Sequence, residues 1–259
     1  MEQIEIEELA PFTHTISAKI LLRIKQGAFH ESPFSDAALI VALRQDIFIA
    51  NMVQRPVEPI ANHCNIDFSL QPASHAMWTY RIIAHAARVT NFAYEACTKD
   101  SQRWDNLAQY ANDWTLRRPD SFLPVYQAMT CSPHSRFPEL RFASDCAVAA
   151  HQYHLLCQIL LLAHNPRAPV LGPGRTDFIL SRDEAIRAKV RSICGSALAH
   201  PEYEPAKLTA SLVIAMCGEL FNDPSETQEL LALLSEAELH LGGSSLKAVD
   251  KLRAFWKLT

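Results

Sequence analysis

Glycine is scarce in this chain, with seven among 259 residues. Segments that alternate apolar and polar residues are scarce too, and the two shortages together exclude a β-rich fold and predict an all-α protein. No two of the seven cysteines, at positions 64, 97, 131, 146, 157, 194 and 217, stand at CxxC spacing. That removes the usual thiolate frameworks for zinc. Their odd number and their scatter through apolar helical contexts suggest reduced, buried thiols in an intracellular protein. No run reaches the roughly 18 apolar residues of a membrane span, and the richest stretch, 155–163, is interrupted by Gln158. The acidic opening Met1-Glu2-Gln3-Ile4-Glu5 has neither the basic nor the apolar part of a secretory signal. An excess of positive charge is missing as well: the net charge is −4, which argues against a nucleic-acid binder working through a basic face. The nearest basic cluster, Arg182, Arg187, Lys189 and Arg191, also contains Asp183 and Glu184 and reads as a solvated helix face.

Catalytic signatures are lacking. GxSxG, HExxH and paired Cys/His patterns do not occur, and the Pro169–Arg175 stretch has no Lys-Ser/Thr step or preceding strand with which to hold phosphate. There is no Gly/Ser/Pro-rich linker, internal repeat or low-complexity segment. Residues 1–259 are therefore expected to form one helical domain, and a domain that starts almost at once after Met1 suggests a complete short product.

What is present is helical periodicity. It predicts helices over 15–26, 37–52, 74–99, 101–117, 138–164, 181–200, 208–221, 225–240 and 245–258. Asp36 is the expected cap of the second, and Ser181-Arg182-Asp183-Glu184 resembles a capping box. The first two helices, 15–52, are expected to dock on a central bundle.

Candidate functional residues fall on three of these helices. Trp78, Tyr80, Arg81 and His85 form an aromatic and basic group able to line a pocket for a planar or anionic small molecule; a packed core helix with Arg81 reaching to water is the plainer alternative. Trp114 and Tyr153 complete the candidate ligand-binding set. His151 and His154, at i, i+3, share a helix face and could hold a metal or pass a proton. No third ligand is evident, so no metal and no cofactor is expected. Asp113 and Arg117 bracket Trp114 at i, i+4 as an expected ion pair. If the protein is an enzyme, His85, His151, His154 and Asp113 are the acid–base candidates.

Several landmarks in order carry a resemblance. Leu43-Arg44-Gln45-Asp46-Ile47-Phe48-Ile49-Ala50 is followed by Gln54-Arg55-Pro56. Then come Trp114, Arg118-Pro119, Ser121-Phe122 and Pro124, and next Phe137-Pro138-Glu139 with Ala149-Ala150, Tyr153, Leu155 and Ile159-Leu160-Leu161. Ile193-Cys194-Gly195-Ser196-Ala197-Leu198, Cys217-Gly218-Glu219, Leu252 and Trp256 close the series. Taken together these resemble the fungal-specific transcription factor domain, the helical regulatory region that follows a six-cysteine zinc cluster in fungal regulators. The zinc cluster is absent from this chain, and Leu241-Gly242-Gly243-Ser244 stands where many relatives carry a Trp-Pro turn.

The resemblance implies a nuclear or cytoplasmic regulatory domain, of transcription or specialised metabolism, that binds a small ligand or a partner. The partner would be a full-length transcription regulator or a second copy, with no nucleic acid or membrane contacted directly. The alternatives are an acid–base enzyme of cyclase or isomerase type on the same scaffold, and a protein-interaction scaffold with a closed core.

Overall fold

The computed structural model describes residues 33–58, 66–96, 100–128, 136–241 and 246–256. The expected helix 15–26 and its docking lie outside them, as does the Gly242-Gly243 break.

The described residues form an all-α multi-helix domain with one small sheet. Helix α1 spans Pro33–Val53, α2 His75–Tyr94, α3 Ser101–Arg117, α4 Asp145–Ala163, α5 Arg175–Leu198, α6 Glu204–Cys217, α7 Pro224–Leu241 and α8 Leu246–Trp256. Side-chain caps set three of the starts. Ser74 accepts from the Met77 amide, Asp100 from those of Gln102 and Arg103, and Ser144 from that of Ala147, which satisfies donors that a helix start leaves unpaired.

Several boundaries differ from the periodicity: α2 ends at Tyr94 rather than at 99, α6 spans Glu204–Cys217 rather than 208–221, and three other starts move. Asp36 sits inside the first turn of α1, because the helix begins at Pro33, a residue suited to a first turn. The long helix expected from Pro138 begins only at Asp145. Residues Glu139–Arg141 instead form strand β2, antiparallel to β1 at Tyr126–Ala128, with Gln127 opposite Leu140; three-residue strands are too short to show a period. Finally, α5 starts at Arg175, released by Gly174 in the left-handed region at φ 83°. The Ser181–Glu184 sequence is therefore mid-helix, and Asp183 is paired with Arg182.

Helix α4 is apolar around most of its circumference because it lies in the middle. It packs most extensively on α2 and also against α3, α5 and α6. By length and composition it could cross a membrane, but 67% of that stretch is buried within the protein. An all-round apolar helix is what a domain centre requires. Helix α1 packs on α2 and α6, α7 on α6, and α8 on α7. Polar ties are placed at the crossings. The Asn51 amide donates to Thr90 across α1–α2 at 3.1 Å. The Gln152 amide of α4 reaches the Ile193 carbonyl, the Ser196 hydroxyl and the Ala206 carbonyl, joining α4 to α5 and α6.

Two glycines mark close approaches. A Cβ on Gly195 would run into the backbone carbonyl of Pro138, and one on Gly218 would meet Leu252 and Trp256. The basic stretch of α5 is less solvated than its composition suggests: Arg191 bridges to Glu226 of α7, and both Arg187 and Arg191 hold Glu184. Cys157, Cys194 and Cys217 are buried free thiols and Cys146 is half-buried. Burial pushes the Cys217 thiol up to about 12 and raises Cys157 and Cys194 as well.

Candidate functional site

The candidate residues separate into groups, because neighbouring positions on a helix point about 100° apart. The first group lies between α2, α3 and the segment 66–71. Trp78 and His85 are two turns apart on α2, so they share a face. Tyr110 and Trp114, one turn apart on α3, face them. Trp78 and Trp114 meet edge to face at 6.3 Å, and the Trp114 indole donates to the Trp78 carbonyl at 3.1 Å. The His85 and Tyr110 rings lie 4.6 Å apart, with Phe68 against Tyr110.

Arg81 does not reach water. It is fully buried, with its guanidinium 4.8 Å from the Trp78 ring. Its Nε donates to the Asp67 carbonyl, one Nη to the Gln71 carbonyl and the other to the Asp67 carboxylate. It thus pins the 66–71 segment over α2. This ion pair and the Ser69 contacts hold the Asp67 carboxyl below its usual range, the bonds from Ser69 being the larger cause.

Three buried polar atoms in this group have no hydrogen-bond partner: Trp78 Nε1, His85 Nδ1 and the Tyr110 hydroxyl. His85 Nε2 lies 3.0 Å from the Leu107 carbonyl, which can only accept. That assigns the ring proton to Nε2 and leaves Nδ1 as an acceptor. Burial, with Arg88 nearby, pushes the imidazole down to about 3, so it is neutral at ordinary pH. Burial also pushes the Tyr110 phenol up to about 12. The cluster therefore presents an indole donor, an imidazole acceptor and a phenol able to do either.

The second group is centred on His154 of α4. Its ring stacks on Trp114 at 5.4 Å and 25°, and its Nε2 meets the Thr115 hydroxyl at 2.8 Å and the Gln158 amide at 3.3 Å. Arg118 stands 5.6 Å from the Trp114 ring and donates to the Thr115 carbonyl, as expected of a residue closing α3. His151, one turn earlier, rests on Phe142 at 4.9 Å, and its Nε2 is buried and unpartnered. Burial first, then neighbouring positive charge, pushes His151 down to about 3 and His154 to about 4. The two histidines thus share a side of α4 but serve different contacts. Among the described residues no three His, Cys, Asp or Glu side chains gather as metal ligands.

The other candidates lie apart. Asp113 accepts from Gln109 at 2.9 Å, and no ion pair joins it to the exposed Arg117 among the described residues. Tyr80, two positions from Trp78, is half-buried on another side of α2, within electrostatic reach of Cys146 and Asp36. Tyr153 turns to α1, where its hydroxyl meets Arg44. Tyr110 was not singled out by the sequence reading. Its position one turn before Trp114, on the same face of a periodic helix, was the available signal. Arg44 and Tyr203 carried no such signal, since they meet Tyr153 only through the packing of α1 and α6 on α4.

The chain matches no protein-family model, no curated protein and no solved structure.

Proposed function

We propose that this protein is a regulatory domain that binds a small polar aromatic molecule between α2 and α3. The observation that carries the reading is the set of unpartnered buried atoms on Trp78, His85 and Tyr110. A buried polar group without a partner costs about 1–3 kcal/mol, and native proteins keep few of them. A ligand that brings an acceptor to the indole and a donor to the imidazole would relieve that cost. The resemblance to fungal transcription factor regulatory regions supports the same reading. It makes the output a signal, passed to a full-length transcription regulator or a second copy in nucleus or cytoplasm, in control of transcription or specialised metabolism. The negative net charge supports a partner other than nucleic acid.

Catalysis by the histidines is less well supported. Acid–base work needs a group that exchanges its proton near the operating pH. His85, His151 and His154 are all held neutral, and their recorded hydrogen bonds go to carbonyl, hydroxyl and amide groups rather than to an orienting carboxylate.

The test is a thermal-shift screen with small heteroaromatic and phenolic metabolites, followed by mass spectrometry of each hit. A stabilising compound recovered unchanged, whose effect is lost in Tyr110→Phe and in His85→Phe, is the expected result. A hit that is consumed would make the protein an enzyme. Hits that stabilise both variants as well as the parent would remove the α2–α3 cluster as the site.

A further inference from the structure

A second group of polar side chains lies on another side of α4, where α1 and the start of α6 meet it. Arg44 of α1 is half-buried there. Its Nε donates to the Tyr153 hydroxyl at 3.3 Å and an Nη to the Tyr203 hydroxyl at 3.4 Å, while its guanidinium carbon lies 5.6 Å from the centre of the Tyr153 ring. Arginines at three other inter-element contacts meet a carboxylate, Arg81 with Asp67, Arg167 with Asp105 and Arg191 with Glu226, whereas Arg88 rests on the Phe68 ring. Among the described residues no acid pairs with Arg44. Glu204, next to Tyr203, is turned to Lys207.

We propose that Arg44, Tyr153 and Tyr203 form a receptor for a small organic carboxylate. A guanidinium has five N–H groups, of which the two phenols take two. Each phenol oxygen accepts from Arg44, so each keeps its own proton to give. The remaining guanidinium N–H groups and two phenolic O–H groups are donors held around one cation. The guanidinium fork matches the two oxygens of a carboxylate. Burial, the largest influence, raises the Tyr203 phenol, so it remains a donor at neutral pH. The two existing bonds are longer than the usual 2.7–3.2 Å, so the cation can shift towards a ligand without breaking a strong contact.

Charge argues for a monoanion. The site has one cation, and Asp145 lies within electrostatic reach of Tyr203. A phosphate dianion would meet that carboxylate with twice the repulsion and no second cation to offset it. The inference is independent of the α2–α3 ligand, because Arg44, Tyr153 and Tyr203 belong to none of the contacts of that cluster.

The test is isothermal titration calorimetry of the full chain with sodium acetate and sodium benzoate, against sodium phosphate and sodium chloride at matched ionic strength. The expected result is saturable binding of at least one carboxylate, tighter than phosphate. Tyr203→Phe keeps the cation and the packing but removes one donor, and should weaken binding by roughly tenfold, the loss of one hydrogen bond to a charged group. Arg44→Met should abolish it, with circular dichroism checking that the variant is folded; if it is not, Tyr203→Phe alone decides. Absence of saturable carboxylate binding, equal affinity in Tyr203→Phe and parent, or tighter binding of phosphate would each overturn the proposal.

Discussion

Replacing Gly195 by alanine isolates the tightest crossing in the fold. In an exposed helix the change is favourable by about 1 kcal/mol, because alanine loses less backbone freedom. At Gly195 the new methyl would be driven into the Pro138 carbonyl oxygen, with the carbonyl carbon at 3.0 Å and the Pro138 nitrogen at 3.4 Å. The obstacle is backbone, so no rotamer change relieves it. Helix α5 must instead withdraw from the segment that carries buried Phe137, Leu140 and Phe142. Overpacking of a filled core costs about 1–3 kcal/mol and occasionally more, and withdrawal adds lost contacts on the same side. The expected net loss after the propensity gain is about 2–3 kcal/mol, or a fall in melting temperature of roughly 5–10 °C for a chain of this size.

Gly218→Ala is the matched comparison. Its methyl would meet the ends of Leu252 at 2.9 Å and Trp256 at 3.2 Å. Those side chains can turn aside, so the expected loss is below about 1 kcal/mol. Urea unfolding with an unchanged slope would read both. A Gly195→Ala protein as stable as the parent would refute the close approach of α5 to Pro138, and with it the placement of β2 over α5.

Acid should destabilise the protein well before its carboxylates protonate. An unfolded histidine titrates near 6.5, whereas buried His85 and His151 sit at about 3 and His154 at about 4. The unfolded chain therefore binds more protons between these limits, so the full stability is present above pH 6.5 and is lost as pH falls towards 4. Between pH 7.5 and 5 the three together should cost on the order of 5 kcal/mol, and urea midpoints that do not move over that range would contradict their burial as neutral rings. His154→Gln should flatten the slope by about 1.4 kcal/mol per pH unit, one proton's worth. Cys157, Cys194 and Cys217 should resist a thiol reagent in the folded protein and react once urea unfolds it, as peptide mapping by mass spectrometry would reveal. Breaking the exposed Arg167–Asp105 pair by Asp105→Ala should leave the urea midpoint nearly unmoved, whereas Asp67→Ala, which strips the carboxylate from a fully buried guanidinium, should lower it.

The helical class was legible because it depends on local quantities. Period-3.6 patterns, capping Ser and Asp residues and scarce glycine act within a few residues, and the helices starting after Ser74 and Asp100 appear where those signals place them. A tertiary contact decided the strand: Glu139–Arg141 is extended only because β1 pairs with it. The candidate site divided for the same reason. Trp78, His85 and Trp114 come together through shared faces that spacing reveals, and Tyr80 separates from them by the same rule. Which face of α4 looks towards α3 and which towards α1 is not written in a helix that is apolar almost all round. Only the packing of α1, α3 and α6 around it sends His154 to Trp114 and Tyr153 to Arg44. Likewise, Arg81 reads locally as a side chain reaching for water, and becomes a buried clamp only when the 66–71 segment folds back to supply the Asp67 carboxylate. Periodicity states how far a helix runs and which residues share a side; the partners of each side depend on contacts distant in sequence, which no local pattern encodes.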